Sequence, residues 1–212
     1  MTSKNELIFA SDGKVLVEAA RDTISRFLRV KKLITPTALS SESKFEQKLG
    51  CFVTLKDVRN KNALRGCIGF PEPVYKLSKA LPLAAVYAAT EDPRFPAVSL
   101  SELENLTLEI SILTKPERIN VRNQHELPQK IEIGRDGLIM NWSFGSGLLL
   151  PQVATEMRLN AVEFLENLGL KAGAPSNQWL DPATVISKFQ AIVFQELRPN
   201  GEVVLSSESV RR

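Results

Sequence analysis

The run LTLEISIL, residues 106–113, places the tightest constraint on how this chain can fold. Leu106, Leu108, Ile110 and Ile112 alternate with Thr107, Glu109 and Ser111. A period of two predicts a strand in a sheet with one buried face. Two further strand-like runs, CFVTL (51–55) and ALRGCIGF (63–70), are joined by the polar DVRNKN and predict a hairpin. A turn centred on Arg59 sets Cys51 opposite Cys67, and a slip of one residue sends the two to opposite faces. IEI-GRDG-LIMNW (131–142) predicts a second hairpin, and TVISKFQAIVFQEL (184–197) a long strand.

Helices fall between these strands. Ser11 to Lys32 carries Leu16, Ala20, Phe27 and Leu28 near helical spacing. Val74 to Thr90 has an apolar stripe, and Pro82 predicts a kink or a split in it. Pro151 suits the first turn of a helix. Asn160 with Glu163 three residues on predicts a capping pair for NAVEFLENLG, with Gly169 at its end. Pro93 and Pro96 hold EDPRFPAV (91–98) out of regular structure, so Asp92, Arg94 and Phe95 sit on a stiff loop. Hairpins with helices inserted between them predict an α+β fold with a mainly antiparallel sheet. At 212 residues and 43% hydrophobic, the chain can bury a sizeable core as one domain, or one domain with a small lobe.

A net charge of +3 permits contact with nucleic acid without demanding it, and no basic-aromatic run reads as a nucleic-acid module. No apolar run is long enough to span a bilayer, and the N-terminus lacks a signal peptide's apolar segment, so a cytoplasmic protein is expected. Two cysteines make no disulfide framework. Both are expected to be reduced, with Cys51 contributing only packing. One histidine, His125, and two cysteines give no zinc-ligand pattern, and no metal or cofactor is expected. Trp142 and Trp179 suit core or cleft packing better than base stacking.

LRGCIGF, EDPRF, GRDGL, SGLLLPQV, KAG and WL occur in that order, and together they resemble the AMMECR family, named for the Alport syndrome, midface hypoplasia and elliptocytosis chromosomal region. The likeness runs from about Gly50 to Gly201, and 202–212 is a polar tail. A single AMMECR-type domain over 1–212 is expected. The prokaryotic members resemble protein A of the AmmeMemoRadiSam system, which implies association with a Memo-type protein and a radical S-adenosylmethionine protein. The resemblance implies a compact α+β domain and fixes no activity. Many relatives carry a cysteine just before the Lys-Ala-Gly block, where this chain has Gly169, so a two-cysteine mechanism using that position is closed to it.

Cys67 has two readings. As a nucleophile it needs a lowered pKa, and Arg65, two positions away on a strand, would share its face and favour the thiolate. Gly66 and Gly69 would then let a ligand approach the backbone. As a core residue it is a small buried thiol, with the glycines marking a bulge or tight packing. Asp92 and Arg94 are candidates for binding a charged ligand, or simply an Asp-Pro turn. Ser146, in the glycine-rich SFGSG, is a candidate donor to a ligand on what otherwise reads as a flexible loop. The function expected is therefore a ligand-binding or thiol-dependent catalytic cleft around Arg65–Cys67, taking a small molecule or a protein. The competing reading is a non-enzymatic adaptor, and nucleic-acid binding ranks behind both.

Overall fold

The structure is a computed structural model that describes Ile8 and residues 10–206. The described residues divide into two units. One runs to Ile112 and includes Ile192–Ser206, and the other is Leu113–Ala191. Among them no helix is long and apolar enough to cross a membrane.

The first unit holds helices α1 (Gly13–Val30), α2 (Thr37–Ser40), α3 (Leu77–Thr90) and α4 (Leu100–Leu103). Its sheet contains β1 (Gly50–Asp57), β2 (Ala63–Phe70) and β3 (Leu106–Leu113), with β8 (Ala191–Glu196) and β9 (Val203–Leu205) from the end of the chain, in the order β2-β1-β3-β8-β9. The β1–β2 and β8–β9 pairs are antiparallel. Leu16, Val17, Ala20 and Ile24 of α1 join Val53 and Leu55 of β1 and most of α3 in one core. Arg21 ties that core together: its guanidinium is ion-paired with the buried Glu196, whose carboxylate also accepts the Leu108 N–H at 2.9 Å.

The second unit holds β4 (Glu117–Arg118), β5 (Gly137–Trp142), β6 (Gly145–Leu149), β7 (Val185–Phe189), α5 (Pro151–Glu156) and α6 (Ala161–Lys171). Its antiparallel sheet has the order β4-β7-β5-β6. Phe164, Leu165 and Leu168 of α6 pack with Leu138 and Met140 of β5. The Asn160–Glu163 capping box is present, Asn160 Oδ1 accepting the Val162 and Glu163 N–H groups at 2.9 and 3.1 Å. Asn160→Ala is expected to cost about 1 kcal/mol, read as a lower thermal midpoint; an unchanged midpoint would show that the cap adds nothing to the packed helix.

The α+β class and the antiparallel pairing are as the sequence predicts, and five local readings need correction. The 184–197 run is two strands, β7 and β8, which part at Gln190 and enter different sheets. SFGSG is no flexible loop: Gly145–Leu149 is the strand that pairs with β5, so the hairpin closes after Trp142 and residues 131–133 form no strand. GRDG leads into β5 and buries Asp136 completely, against Arg135, Lys188 and the Glu132 N–H. Burial alone would raise that carboxyl's pKa; the Arg135 bond, the backbone donor and Lys188 outweigh it and hold the value below normal. Pro82 neither splits nor ends α3, because a helix buried along most of its length gains more from packing than the proline removes. Gly169 lies within α6, which runs on to Lys171.

Candidate functional site

The β1–β2 register decides which residues surround Cys67. The turn carries a short helical turn at Val58–Asn60, and Lys61 and Asn62 have φ of 51° and 59°. This longer turn sets Cys67 opposite Thr54, and Cys51 opposite Phe70. The facing cysteine pair that a turn centred on Arg59 would give does not form. Cys51 is fully buried among apolar residues, which pushes its thiol up to about 12. Both cysteines are free.

The ladder shifts between Leu55 and Lys56, leaving Arg65 without a partner of its own. Such a bulge re-aims a side chain. Arg65 turns to Glu102, with Nε donating at 2.5 Å and Nη2 at 3.2 Å. Glu102 is in place because it also closes the capping box of α4 with Ser99. With its charge balanced and its side chain 12% exposed, Arg65 is an anchor for α4.

Asp92 joins the stiff loop to β2. Its carboxylate accepts the Cys67 backbone N–H at 2.8 Å and the Arg94 N–H at 3.1 Å. It also accepts Arg94 Nε at 2.9 Å and Nη2 at 2.7 Å. The Arg94 side-chain bonds, helped by the two backbone donors and opposed by burial, hold Asp92 far below the usual aspartate range. Arg94 Nη2 also reaches the Cys67 carbonyl at 3.4 Å. Both Arg65 and Arg94 set their guanidiniums by Phe95, 5.8 and 5.5 Å from its ring centre.

Cys67 itself is half-buried, and Thr54 Oγ1 donates to its Sγ at 3.2 Å. Burial is the largest influence and raises its pKa. The Thr54 bond and Arg94 pull the other way, while Glu109 and Asp92 add to the rise, and the net direction is up. Arg65 does not figure among these influences, so the expectation that it favours the thiolate is replaced by Arg94 in that part. Glu109 stands on β3, paired with Lys56 at 2.8 Å.

The glycines of the motif are used from within. A Cβ on Gly66 would lie 2.1 Å from the Ala88 carbonyl oxygen of α3, and one on Gly69 would lie 2.4 Å from the Phe52 ring. Helix and ring, rather than open space, occupy the room the glycines leave. The structure thus gathers Arg65, Gly66, Cys67, Gly69, Asp92 and Arg94 in one region. Ser146 lies in the second unit, exposed on β6 opposite Asn141. Thr54, Glu102 and Glu109 were missed. For two of them a signal existed: Ser99-x-x-Glu102 is a capping-box pattern, and Glu109 is the single charge on an alternating strand.

The AMMECR1 family model matches residues 17–194. Protein MJ0810 of Methanocaldococcus jannaschii is 46% identical over 198 residues, covering 93% of this chain and 96% of that one. Protein PH0010 of Pyrococcus horikoshii is 46% identical over 193 residues, covering 90% and 93%. The crystal structure of PH0010 superposes with a TM-score of 0.86 at 44% identity, over 94% of this chain and 98% of that one. These names state no activity.

Proposed function

Because the chain belongs to the AMMECR1 family, we propose that the site the family motif builds here is a ligand-binding surface at Cys67, with Arg94 as its cation. The observation that carries this is the Asp92 clamp. It holds the Cys67 amide and the Arg94 fork in one rigid assembly, so the guanidinium is pre-organised beside the thiol. Arg94 Nη1 has no partner among the described residues, and the side chain is 53% exposed. A ligand with a carboxylate, phosphate or carbonyl oxygen would take those N–H groups and rest its body against Cys67 and Phe95.

In this reading the thiol is neutral at rest and serves as a wall. Thiol-dependent chemistry with Cys67 as nucleophile is the second reading. The observation in its favour is that Arg94 and Thr54 both stabilise the thiolate. An adaptor that presents this rigid surface to a protein partner is the remaining alternative.

Native mass spectrometry of wild type, Cys67→Ser and Arg94→Gln separates the three. Binding predicts a small molecule retained by Cys67→Ser and lost from Arg94→Gln. A covalent adduct on Cys67 would favour thiol chemistry, and three ligand-free spectra would favour the adaptor. Iodoacetamide labelling tests the thiol directly. At neutral pH Cys67 should react more slowly than a free cysteine and faster than Cys51, because it is reachable but largely protonated. Arg94→Gln should slow it further, and Arg65→Gln should leave it unchanged. Labelling as fast as a free cysteine would sink the neutral-wall reading.

A further inference from the structure

The second unit contains a cavity of about 370 Å³, a volume within the range of small-molecule sites. It is built on the irregular segment between β4 and the turn at Gln124–Lys130, against Leu180 and Ile186. Its polar lining is unusual in sign. Arg118, Arg122 and His125 face it with Asn120, Asn123 and Thr184, and no carboxylate of the described residues lines it. Glu126 lies with Arg122 and Lys130 on a separate, adjoining depression. Arg21, Arg65, Arg94 and Arg135 are each held by a carboxylate. Arg118 and Arg122 make no ion pair among the described residues, so their full charge is offered to whatever enters.

The frame around this lining is well fixed. The Ile119 N–H donates to the Ile186 carbonyl at 2.9 Å, and Asn123 Oδ1 accepts the His125 N–H at 3.0 Å. Gln124 Nε2 reaches the Asp181 carbonyl at 3.3 Å. Thr184 is 3% exposed, and its Oγ1 accepts from Gln178 Nε2 at 2.9 Å, which leaves its own proton to donate. His125 meets Trp179 edge-on at 6.4 Å, and Trp179 Nε1 is a buried donor with no partner among the described residues.

We propose that this cavity binds a small organic phosphate, with Arg118 and Arg122 on the phosphoryl oxygens and the carbon body against Ile119, Val121 and Leu180. Two guanidiniums with a hydroxyl and side-chain amides form a donor set suited to a tetrahedral dianion. The volume exceeds what inorganic phosphate alone needs, which calls for an organic body. The site is separate from Cys67 and does not rest on the reading given for it.

The test uses Trp179 as its reporter. The chain has two tryptophans, so Trp142→Phe leaves Trp179 alone. Adenosine monophosphate and ribose phosphate are titrated against its fluorescence, with adenosine and succinate as controls. Calorimetry on the unsubstituted protein guards against any effect of that substitution. Saturable binding of at least one phosphate ester is expected, with adenosine silent and succinate weaker. Arg118→Ala with Arg122→Ala should weaken it by at least about tenfold at an unchanged thermal midpoint. Both arginines are exposed, so folding is expected to survive; if the double variant unfolds, Arg118→Lys with Arg122→Lys replaces it and should also weaken binding. No saturation at millimolar ester, equal binding of adenosine, succinate binding as tight as the ester, affinity indifferent to both arginine pairs, or binding of single-stranded RNA alone would each overturn the proposal.

Discussion

Asp92→Asn is expected to destabilise the protein by about 3 kcal/mol, because it removes a charged acceptor from four donors at once. The side chain is 2% exposed, so water cannot stand in for the lost oxygen. An asparagine has one acceptor oxygen and would turn its own N–H groups toward the Cys67 amide or the Arg94 fork. The same substitution should change the acid response. Asp92 has its pKa depressed in the folded state below the ordinary 3.8, through Arg94 first and the backbone donors after it. A depressed carboxyl contributes stability that is full above the unfolded value and is lost as pH falls through the folded one. Wild type should therefore lose stability more steeply than the variant as pH drops below 3.8. Urea midpoints at about pH 7 and about pH 3 measure both effects. Parallel pH profiles for the two proteins would show that Asp92 is not the anchor of this site.

Gly66→Ala should be as damaging for a steric reason. The new methyl would sit 2.1 Å from the Ala88 carbonyl oxygen, and both the strand and the helix are backbone there. Neither can yield without moving β2 from α3, which share the core. Overpacking of this kind costs about 3 kcal/mol, or about 10 °C in thermal midpoint for a chain this size. Gly173→Ala is the control. Its φ is +69° and nothing lies within 4 Å of the added carbon, so only backbone strain of about 1 kcal/mol is expected. A Gly66→Ala midpoint no lower than that of Gly173→Ala would refute the close approach of α3 to β2. Cys67 alkylation in Gly66→Ala should also quicken, since displacing β2 exposes the thiol.

What could be read in the sequence was whatever depends on neighbours in the chain. LTLEISIL is a strand because alternation acts over adjacent residues, and β3 spans 106–113 as predicted. Asn160 with Glu163 caps α6, and Pro151 opens α5, because capping and φ restriction are settled within one turn. The family motif marked the region of Cys67 for the same reason, as a local string of residues. Decisions involving distant residues were out of reach. The partner of Arg65 is Glu102, 37 residues away, and a bulge that no pattern announces aims the guanidinium there. The register of β1 on β2 follows from left-handed residues in the turn, and a change in that turn exchanges Thr54 for Cys51 opposite Cys67. The break at Gln190 is set by two sheets competing for one apolar run, which periodicity alone reads as a single strand. The sequence by itself determined β3 and the capped starts of α5 and α6, and where the chemically interesting residues stand along the chain. Only the tertiary structure decided that the cation serving Cys67 is Arg94, because pairing among charges depends on which groups folding brings within hydrogen-bond distance.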